Sequence, residues 1–312
     1  MRIAHFPQNP ANHAWRLAVA QRKLGHEVIV YSRLKADATY GYTSDIYVHP
    51  RYDPFHFNLD MLKRHKELQS FDIIHNHGGI WKSQLAYYLV RKPKLFIEYH
   101  GTDARDGKGL YHQRLASGFF YSTPDLRAKV PRESIWLPHP IELQPLPKPV
   151  ENERSLFVHF VSTPKGTEKF ISLFHDAFGK SKTSSTEDEE RYVAEDAELR
   201  IYTRIPQARV FEIMQQADVV LDRWNGYGIY GFVSVEAMAF GKPVVADVNR
   251  FLYPRNCPVV PPDVGLLRAL AWDADAREML SIDGRAYVKQ THEASIVAKQ
   301  SIDAFERALD ST

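Results

Sequence analysis

The stretch Ala217–Asp247, ADVVLDRWNGYGIYGFVSVEAMAFGKPVVAD, constrains the fold of this chain more than any other. Asp218-Val219-Val220-Leu221 has the apolar run of a buried strand. Arg223 to Gly231 is polar and glycine-rich, a short helix carrying Glu236 follows and ends near Gly241, and Pro243-Val244-Val245 opens another strand. A strand, a glycine turn and a helix start together suit an anion, because the first amides of a helix lack an intrahelical partner and the helix dipole is positive there. No Ser, Thr, Asp or Asn immediately precedes this helix to cap those amides. Water can satisfy them equally well, so spacing alone leaves a solvated turn and an anion site both open.

The 312 residues suit roughly two domains. A hydrophobic content of 44% with 25% charged residues allows a sizeable core in a soluble globular protein. The 40 basic and 38 acidic residues leave a net charge of +2, which excludes the strong global field of a nucleic-acid binder. A single cysteine, Cys257, excludes an intrachain disulfide and a cysteine zinc cluster. There is no signal-peptide core at the N-terminus and no run of spanning length, so a cytoplasmic protein is expected. The basic run Lys63, Arg64, His65 and Lys66 fits peripheral contact with the cytosolic face of a membrane or an acidic acceptor, but a solvated helix face is favoured.

Along the chain, short apolar runs alternate with helical spacing. Ile3–Phe6 reads as a strand and Pro7–Asn12 as a turn. Trp15, Ala18, Val19 and Arg22 lie at i, i+3, i+4 and i+7 of a helix that ends at Gly25, and Glu27–Ser32 is a second strand. This β-loop-α-β unit predicts parallel strands with a right-handed crossover, its loop at the strand carboxyl end where open sheets bind ligands. Further strands are read at Ile46–Val48, Asp72–His77, Leu95–Tyr99, Phe119–Ser122 and Ile135–Leu137, with helices at Asn58–Leu68 and Trp81–Leu89. Polar groups gather where the strands end: Asn12, His75, His77, His100, Asp103 and His139. His75 and His77 point the same way on an extended chain. A metal would need a third ligand from elsewhere, so substrate-facing or structurally satisfied histidines are the expectation, with no metal.

Gln144-Pro145-Leu146-Pro147-Lys148-Pro149 is the one proline-dense stretch and reads as a linker. Beyond it the pattern restarts with Leu156–Val161. The turn Ser162–Thr167 opens a helix with Lys165 at its mouth. Lys180–Glu198 is charged and nearly free of apolar residues, and reads as a surface segment without chemistry. Leu199–Tyr202 is a strand, Pro206–Gln216 a helix and Val259-Val260 a short strand. Val264–Ala271 and Asp275–Leu280 are helical, and a last helix runs over Glu293–Leu309.

An ordered set of segments resembles the retaining glycosyltransferases of the GT-B fold, family 4 or group 1: Leu24–Val28, Phe71–His75, His100-Gly101-Thr102-Asp103, Thr123–Leu126, Leu137–Ile141, Lys165-Gly166-Thr167, Gly231–Val245 and Gly284–His292. The resemblance implies an α/β protein of two Rossmann-like doubly wound domains facing a cleft. Residues 1–146 would form the acceptor-side domain and 147–292 the donor domain, with the last helix, 293–312, crossing back to the first. It implies transfer of a sugar from a nucleotide-diphosphate sugar with retention of configuration, without metal or resident cofactor, to a glycan, lipid-linked or small-molecule acceptor. By the same resemblance Lys165 binds the donor diphosphate, Glu236 the ribose, and Gly166, Gly231 and Phe232 lie near the diphosphate. His100 lies by the reacting centre, so His100, Lys165 and Glu236 are the implied catalytic set.

Two departures from the family pattern shape the remaining expectations. A glutamate normally stands eight residues before the conserved one and contacts the donor sugar; here that position is Gly228, with Asp222 and Asn225 as possible substitutes. A basic residue normally found before the lysine is missing, and Arg204 or Arg223 is expected to supply its charge. Asn12, His77, Asp103, Tyr227 and Gly228 are the expected sugar or acceptor contacts. The alternatives are a GT-B protein that binds nucleotide sugars without transferring them, and another GT-B enzyme such as a nucleotide-sugar epimerase.

Overall fold

A computed structural model describes residues 1–33, 43–48, 53–148, 150–161, 166–253 and 255–311. Lys165 and the turn 162–165 lie outside the described residues. The chain divides into two compact units, Met1–Glu142 with Glu293–Thr312, and Leu143–His292.

In the first unit, β1 (Arg2–Phe6), α1 (His13–Lys23), β2 (Glu27–Ser32) and β3 (Ile46–Tyr47) are followed by α2 (Pro54–Lys63), α3 (His65–Leu68) and β4 (Ile73–His77). Then come β5 (Lys94–Tyr99), α4 (Thr102–Arg105), β6 (Gly118–Tyr121) and β7 (Ile135–Trp136). The sheet order is β3-β2-β1-β4-β5-β6-β7, and every pairing is parallel. This is the doubly wound arrangement, with its switch point between β1 and β4. Its central strands β1, β4 and β5 are buried along almost their whole length because both faces are covered.

The helix read at Asn58–Leu68 is instead two, α2 and α3, broken at Arg64. The carboxylate of Asp53 accepts from the His56 amide at 3.0 Å and so starts α2 earlier. The helix read at Trp81–Leu89 shrinks to a 3-10 turn at Leu85–Leu89. Side chains divert its backbone: Trp81 N–H donates to Gln84 Oε1 at 2.8 Å and Ala86 N–H to Asn58 Oδ1 at 2.9 Å.

The second unit contains β8 (Ser155–Val161), α5 (Thr167–Phe178), β9 (Lys182–Ser185), β10 (Glu189–Val193), β11 (Ala197–Thr203) and α6 (Gln207–Gln216). β12 (Val219–Leu221), α7 (Phe232–Ala239), β13 (Val244–Val245), α8 (Val264–Trp272) and α9 (Ala274–Thr291) complete it. Its sheet order is β13-β12-β8-β11-β10-β9, parallel except for the antiparallel β10 and β9. The segment read as a charged surface segment, Lys180–Glu198, forms an edge hairpin. Backbone ladders hold it, and its one buried charged side chain, Glu198, accepts from Arg191 Nε at 2.8 Å and Arg200 Nε at 2.6 Å. Val260 makes only a bridge to Val245, and the helix read at Asp275–Leu280 extends to Thr291, absorbing most of the run Gly284–His292.

The last helix, α10 (Ala294–Asp310), belongs to the first unit. With α1 it covers one sheet face, where Ala14, Leu17, Ala18, Val297, Ala298, Ile302 and Phe305 pack on Ile3, Val28, Val30, Ile73, Phe96 and Phe120. Among the described residues no helix is long and apolar enough to cross a membrane.

Candidate active site

In the second unit, β8 and β12 are adjacent, so the loops leaving their carboxyl ends meet. Gly166, at φ +81°, lies so close to the Trp224 backbone that a Cβ there would stand 2.4 Å from the Trp224 oxygen. Any side chain would push the two loops apart. Beneath them the buried His159 spans the same two strands: Nδ1 lies 2.8 Å from the Leu221 oxygen and Nε2 3.1 Å from Thr167 Oγ1. Arg223 lies over Gly231 at the start of α7, where a Cβ would meet Arg223 Nη2 at 2.6 Å. Its Nε is buried and has no hydrogen-bond partner among the described residues. Gly166, Arg223, Gly231 and Phe232 are thus brought to one loop cluster. Arg204 follows β11, exposed and at φ +55°.

The start of α7 is capped, though not from the adjacent residue. Asp222, fully buried at the end of β12, accepts from the Gly231 amide at 2.6 Å and from Ser234 Oγ at 2.7 Å. A protein carboxylate therefore already occupies the positive end of this helix. Asp222 is consequently no substitute for a sugar-binding glutamate. Gly228 has a structural reason for being glycine: its φ is +67°, and a Cβ would lie 3.0 Å from Asn249 Cβ. Its carbonyl accepts from the Asn249 amide at 3.0 Å, and the Gly226 amide donates to Asp247 Oδ2 at 3.2 Å. Tyr227, between the two glycines, projects half-exposed. Glu236, on α7, is buried.

In the first unit, parallel register builds a polar cluster. His5 pairs with His75, and His77 with Glu98. The two-residue period then sets His5, His75, His77 and Glu98 on one sheet face. His13 reaches Glu98 from α1, and His100 follows β5. His5, His13, His75, His77 and Glu98 are fully buried, and only the His100 side chain keeps 14% exposure. Around Glu98, His13 Nε2 is 3.0 Å from Oε1, His75 Nε2 3.1 Å and His77 Nδ1 3.3 Å from Oε2, and His100 Nδ1 3.9 Å from Oε1.

Burial pushes the imidazoles of His5, His75 and His77 below their ordinary range and that of His100 down to about 4. Burial alone would push the Glu98 carboxyl up. The surrounding imidazoles, His13 and His100 foremost, outweigh it and hold the group well below the usual carboxylate range.

Three residues expected at the sugar are otherwise engaged. His77 is wholly buried behind His100, with Nδ1 3.1 Å from His100 Nε2 and Nε2 2.7 Å from His5 Nδ1. Asp103 spends its carboxylate on the amides of Gly79, His100 and Gly101 at 2.7–3.2 Å. Asn12 Oδ1 accepts from Asn9 at 2.7 Å and from the Thr43 amide at 3.2 Å. Arg105, beyond the His100 loop, pairs with Asp125 at 2.7 Å. Among the cluster residues, His5, His13 and Glu98 are not candidates in the sequence. The signal for Glu98 was there: it is the one acidic residue within the apolar run Leu95–Tyr99.

Two parallel-dominated α/β units, with the last helix packed into the first, constitute the GT-B fold. Anabaena HepE, solved with UDP and glucose, superposes with a TM-score of 0.68 at 13% identity, over 98% of this chain and 100% of that one. A glycosyltransferase from Rickettsia africae matches with a TM-score of 0.65 at 10% identity, over 100% and 99%. A putative UDP-N-acetylglucosamine 2-epimerase from Listeria monocytogenes matches with 0.52 at 14%, over 100% and 97%. No curated protein matches in sequence. The fold is that of the GT-B glycosyltransferases, and over residues 10–130 the chain carries the pattern of Glycosyltransferase Family 4.

Proposed function

We propose that the chain transfers a sugar from a nucleotide-diphosphate sugar to an acceptor, with retention and with no divalent ion on the diphosphate. One observation carries the reading: the loops after β8 and β12 converge on the start of α7, where the buried Arg223 Nε makes no hydrogen bond among the described residues and lies 3.8 Å from Asp222 Oδ2. The similar fold of HepE, solved with UDP and glucose, supports a nucleotide-sugar donor. As the sugar C1–O bond breaks, its electron pair goes to the diphosphate. Arg223, Lys165 and Arg204 compensate that charge, a preorganised electrostatic stabilisation. Asp222 is occupied by its own helix, which leaves it unavailable as a covalent nucleophile and favours attack by the acceptor hydroxyl on the face the diphosphate leaves. Glu236 takes the ribose. The acceptor is a glycan, a lipid-linked sugar or a small molecule.

Calorimetry with UDP tests the site. Losing one hydrogen bond to a charged group is worth about 1.5–3 kcal/mol, so Arg223→Ala and Glu236→Gln should each weaken binding by about 10–150-fold. Unchanged affinity in both would remove the site. A second reading, epimerisation or binding without transfer, is favoured by Gly228 and by the epimerase-like fold. Released or transferred sugar supports transfer, whereas an intact nucleotide sugar of inverted C2 configuration supports epimerisation.

A further inference from the structure

We propose that His13, Glu98 and His100 bind a transition-metal dication, zinc foremost, within the first unit. The carboxylate of Glu98 is fully buried, yet neither oxygen has an aligned hydrogen bond among the described residues, although four imidazoles stand within 3.0–3.9 Å of them. Such an anion is costly in a protein interior without a cation beside it. His13 Nε2, likewise buried and without an aligned partner, and His100 Nδ1 both lie on the Oε1 side. The candidate ligand atoms of these three residues lie within 4.8 Å of one another.

What surrounds the three supports a ligand role. The opposite nitrogen of each imidazole is held by another: His13 Nδ1 by His139 Nδ1 at 2.9 Å, and His100 Nε2 by His77 Nδ1 at 3.1 Å. His77 is in turn held by His5 at 2.7 Å, and His5 Nε2 by Gln21 Oε1 at 2.7 Å. Outer partners of this kind fix ring orientation and tautomer around metal ligands. His75 and His77 flank the other carboxylate oxygen.

The neighbouring triad His5, His75 and His77 is the weaker candidate. His5 Nδ1 and His77 Nε2 are hydrogen-bonded at 2.7 Å, closer than the roughly 3.3 Å between two ligands of a tetrahedral ion with bonds of about 2.0–2.1 Å. In the favoured triad, His100 Nδ1 must draw in by a few tenths of an ångström from 3.9 Å and His13 must ease out from 3.0 Å. Two imidazoles and a carboxylate suit zinc, cobalt or nickel rather than magnesium or calcium. The fourth position falls on the side of His100, the one ligand with exposure.

Loading asks for one rearrangement. Metal on His13 Nε2 places that ring's proton on Nδ1, donating to His139 Nδ1. His139 then carries its own proton on Nε2, from which Arg16 Nη1, now 3.2 Å away, must turn.

The test reads metal directly and does not depend on transfer activity. Untagged protein is stripped with chelator and titrated with cobalt and with zinc, the latter against a chromophoric chelator. The expected result is one equivalent of each, visible cobalt absorption of a four- or five-coordinate site, and a raised melting temperature. Glu98→Gln and His13→Asn should abolish the cobalt bands. His139→Gln should weaken zinc by about 10–100-fold, as expected for an outer partner. His175→Ala, at an exposed histidine of the second unit, should change nothing. Should the buried variants fail to fold, the wild-type titration decides alone: less than one equivalent of either metal, or cobalt spectra of a hexaaquo-like octahedral ion, overturns the proposal. Unaltered zinc affinity in a folded Glu98→Gln protein overturns it equally.

Discussion

Restoring the glutamate of the family pattern, by Gly228→Glu, is expected to damage the protein rather than improve it. At φ +67° any L-residue incurs about 1–2 kcal/mol of left-handed backbone cost. Its Cβ would also stand 3.0 Å from Asn249 Cβ, whose backbone is tied to the Gly228 carbonyl and cannot simply retreat. Overpacking of this kind costs about 1–3 kcal/mol. Reduced freedom of the unfolded chain offsets about 0.4–1 kcal/mol. The net loss is about 1–4.6 kcal/mol, which at about 2–4 °C per kcal/mol lowers the melting temperature of the second unit by about 2–18 °C. Gly226→Ala provides the control: φ is +78° but no atom lies within 4 Å of the added Cβ. It should therefore lose only the backbone part, about 0–1.5 kcal/mol. Differential scanning calorimetry of Gly228→Glu, Gly228→Ala and Gly226→Ala measures the difference, and UDP-sugar titration measures any gain in affinity. A Gly228→Glu protein as stable as wild type that binds donor more tightly would refute the reasoning and make Gly228 a lost contact.

Asp222→Ala strands the Gly231 amide and the Ser234 hydroxyl in the interior, and at about 1–3 kcal/mol each should cost roughly 2–6 kcal/mol in denaturant unfolding; Asp222→Asn should lose less. Tyr230→Phe leaves the Tyr287 hydroxyl and His292 Nε2, each 2.8 Å from the Tyr230 oxygen, short of a partner, with an expected loss of about 1–3 kcal/mol by thermal melt. Burial alone would push the Glu198 carboxyl up, but hydrogen bonds from Arg200 and Arg191 outweigh it and hold the group below its ordinary range. A depressed folded-state pKa gives stability that is complete above the unfolded value of about 4.3 and is lost as pH falls through the folded one. Glu198→Gln should therefore flatten the stability–pH curve of the second unit below about pH 4.3 and leave its shape above that unchanged. Cys257 is buried, its thiol pushed up to about 11, so disulfide reagents at pH 8 should label it at the rate of unfolding, and fast labelling of the native protein would contradict the burial.

What could be read beforehand was whatever periodicity encodes. Ile3–Phe6, the helix through Trp15 and Ala18, and Glu27–Ser32 stand close to where the apolar spacing puts them. The β9–β10 hairpin was invisible because neither face of β9 is buried, and backbone ladders leave no mark on side-chain pattern. No residue immediately before α7 caps it, because the carboxylate that provides the cap, Asp222, comes from the end of the preceding strand. Spacing shows that His75 and His77 share a face, but only strand order and register bring His5 and Glu98 beside them, from 70 residues before His75 and 21 after His77. Sheet topology, not local composition, made that cluster. Gly228 carries its meaning in a backbone angle, which the letter G permits but does not announce.

The placement of α10 sets an order on biosynthesis. The first unit begins to emerge from the ribosome before the second, yet Gln21 must wait for Ser301, and the rings of His75, Phe96 and Phe120 for Phe305. Until the final helix is made, one face of the nascent seven-stranded sheet is uncovered along α1, a sticky intermediate of the kind chaperones hold. The second unit, uninterrupted from Leu143 to His292, has no such delay and should reach its native state first. Pulse proteolysis of stalled nascent chains ending at His292 should find the second unit resistant and the first still cleavable.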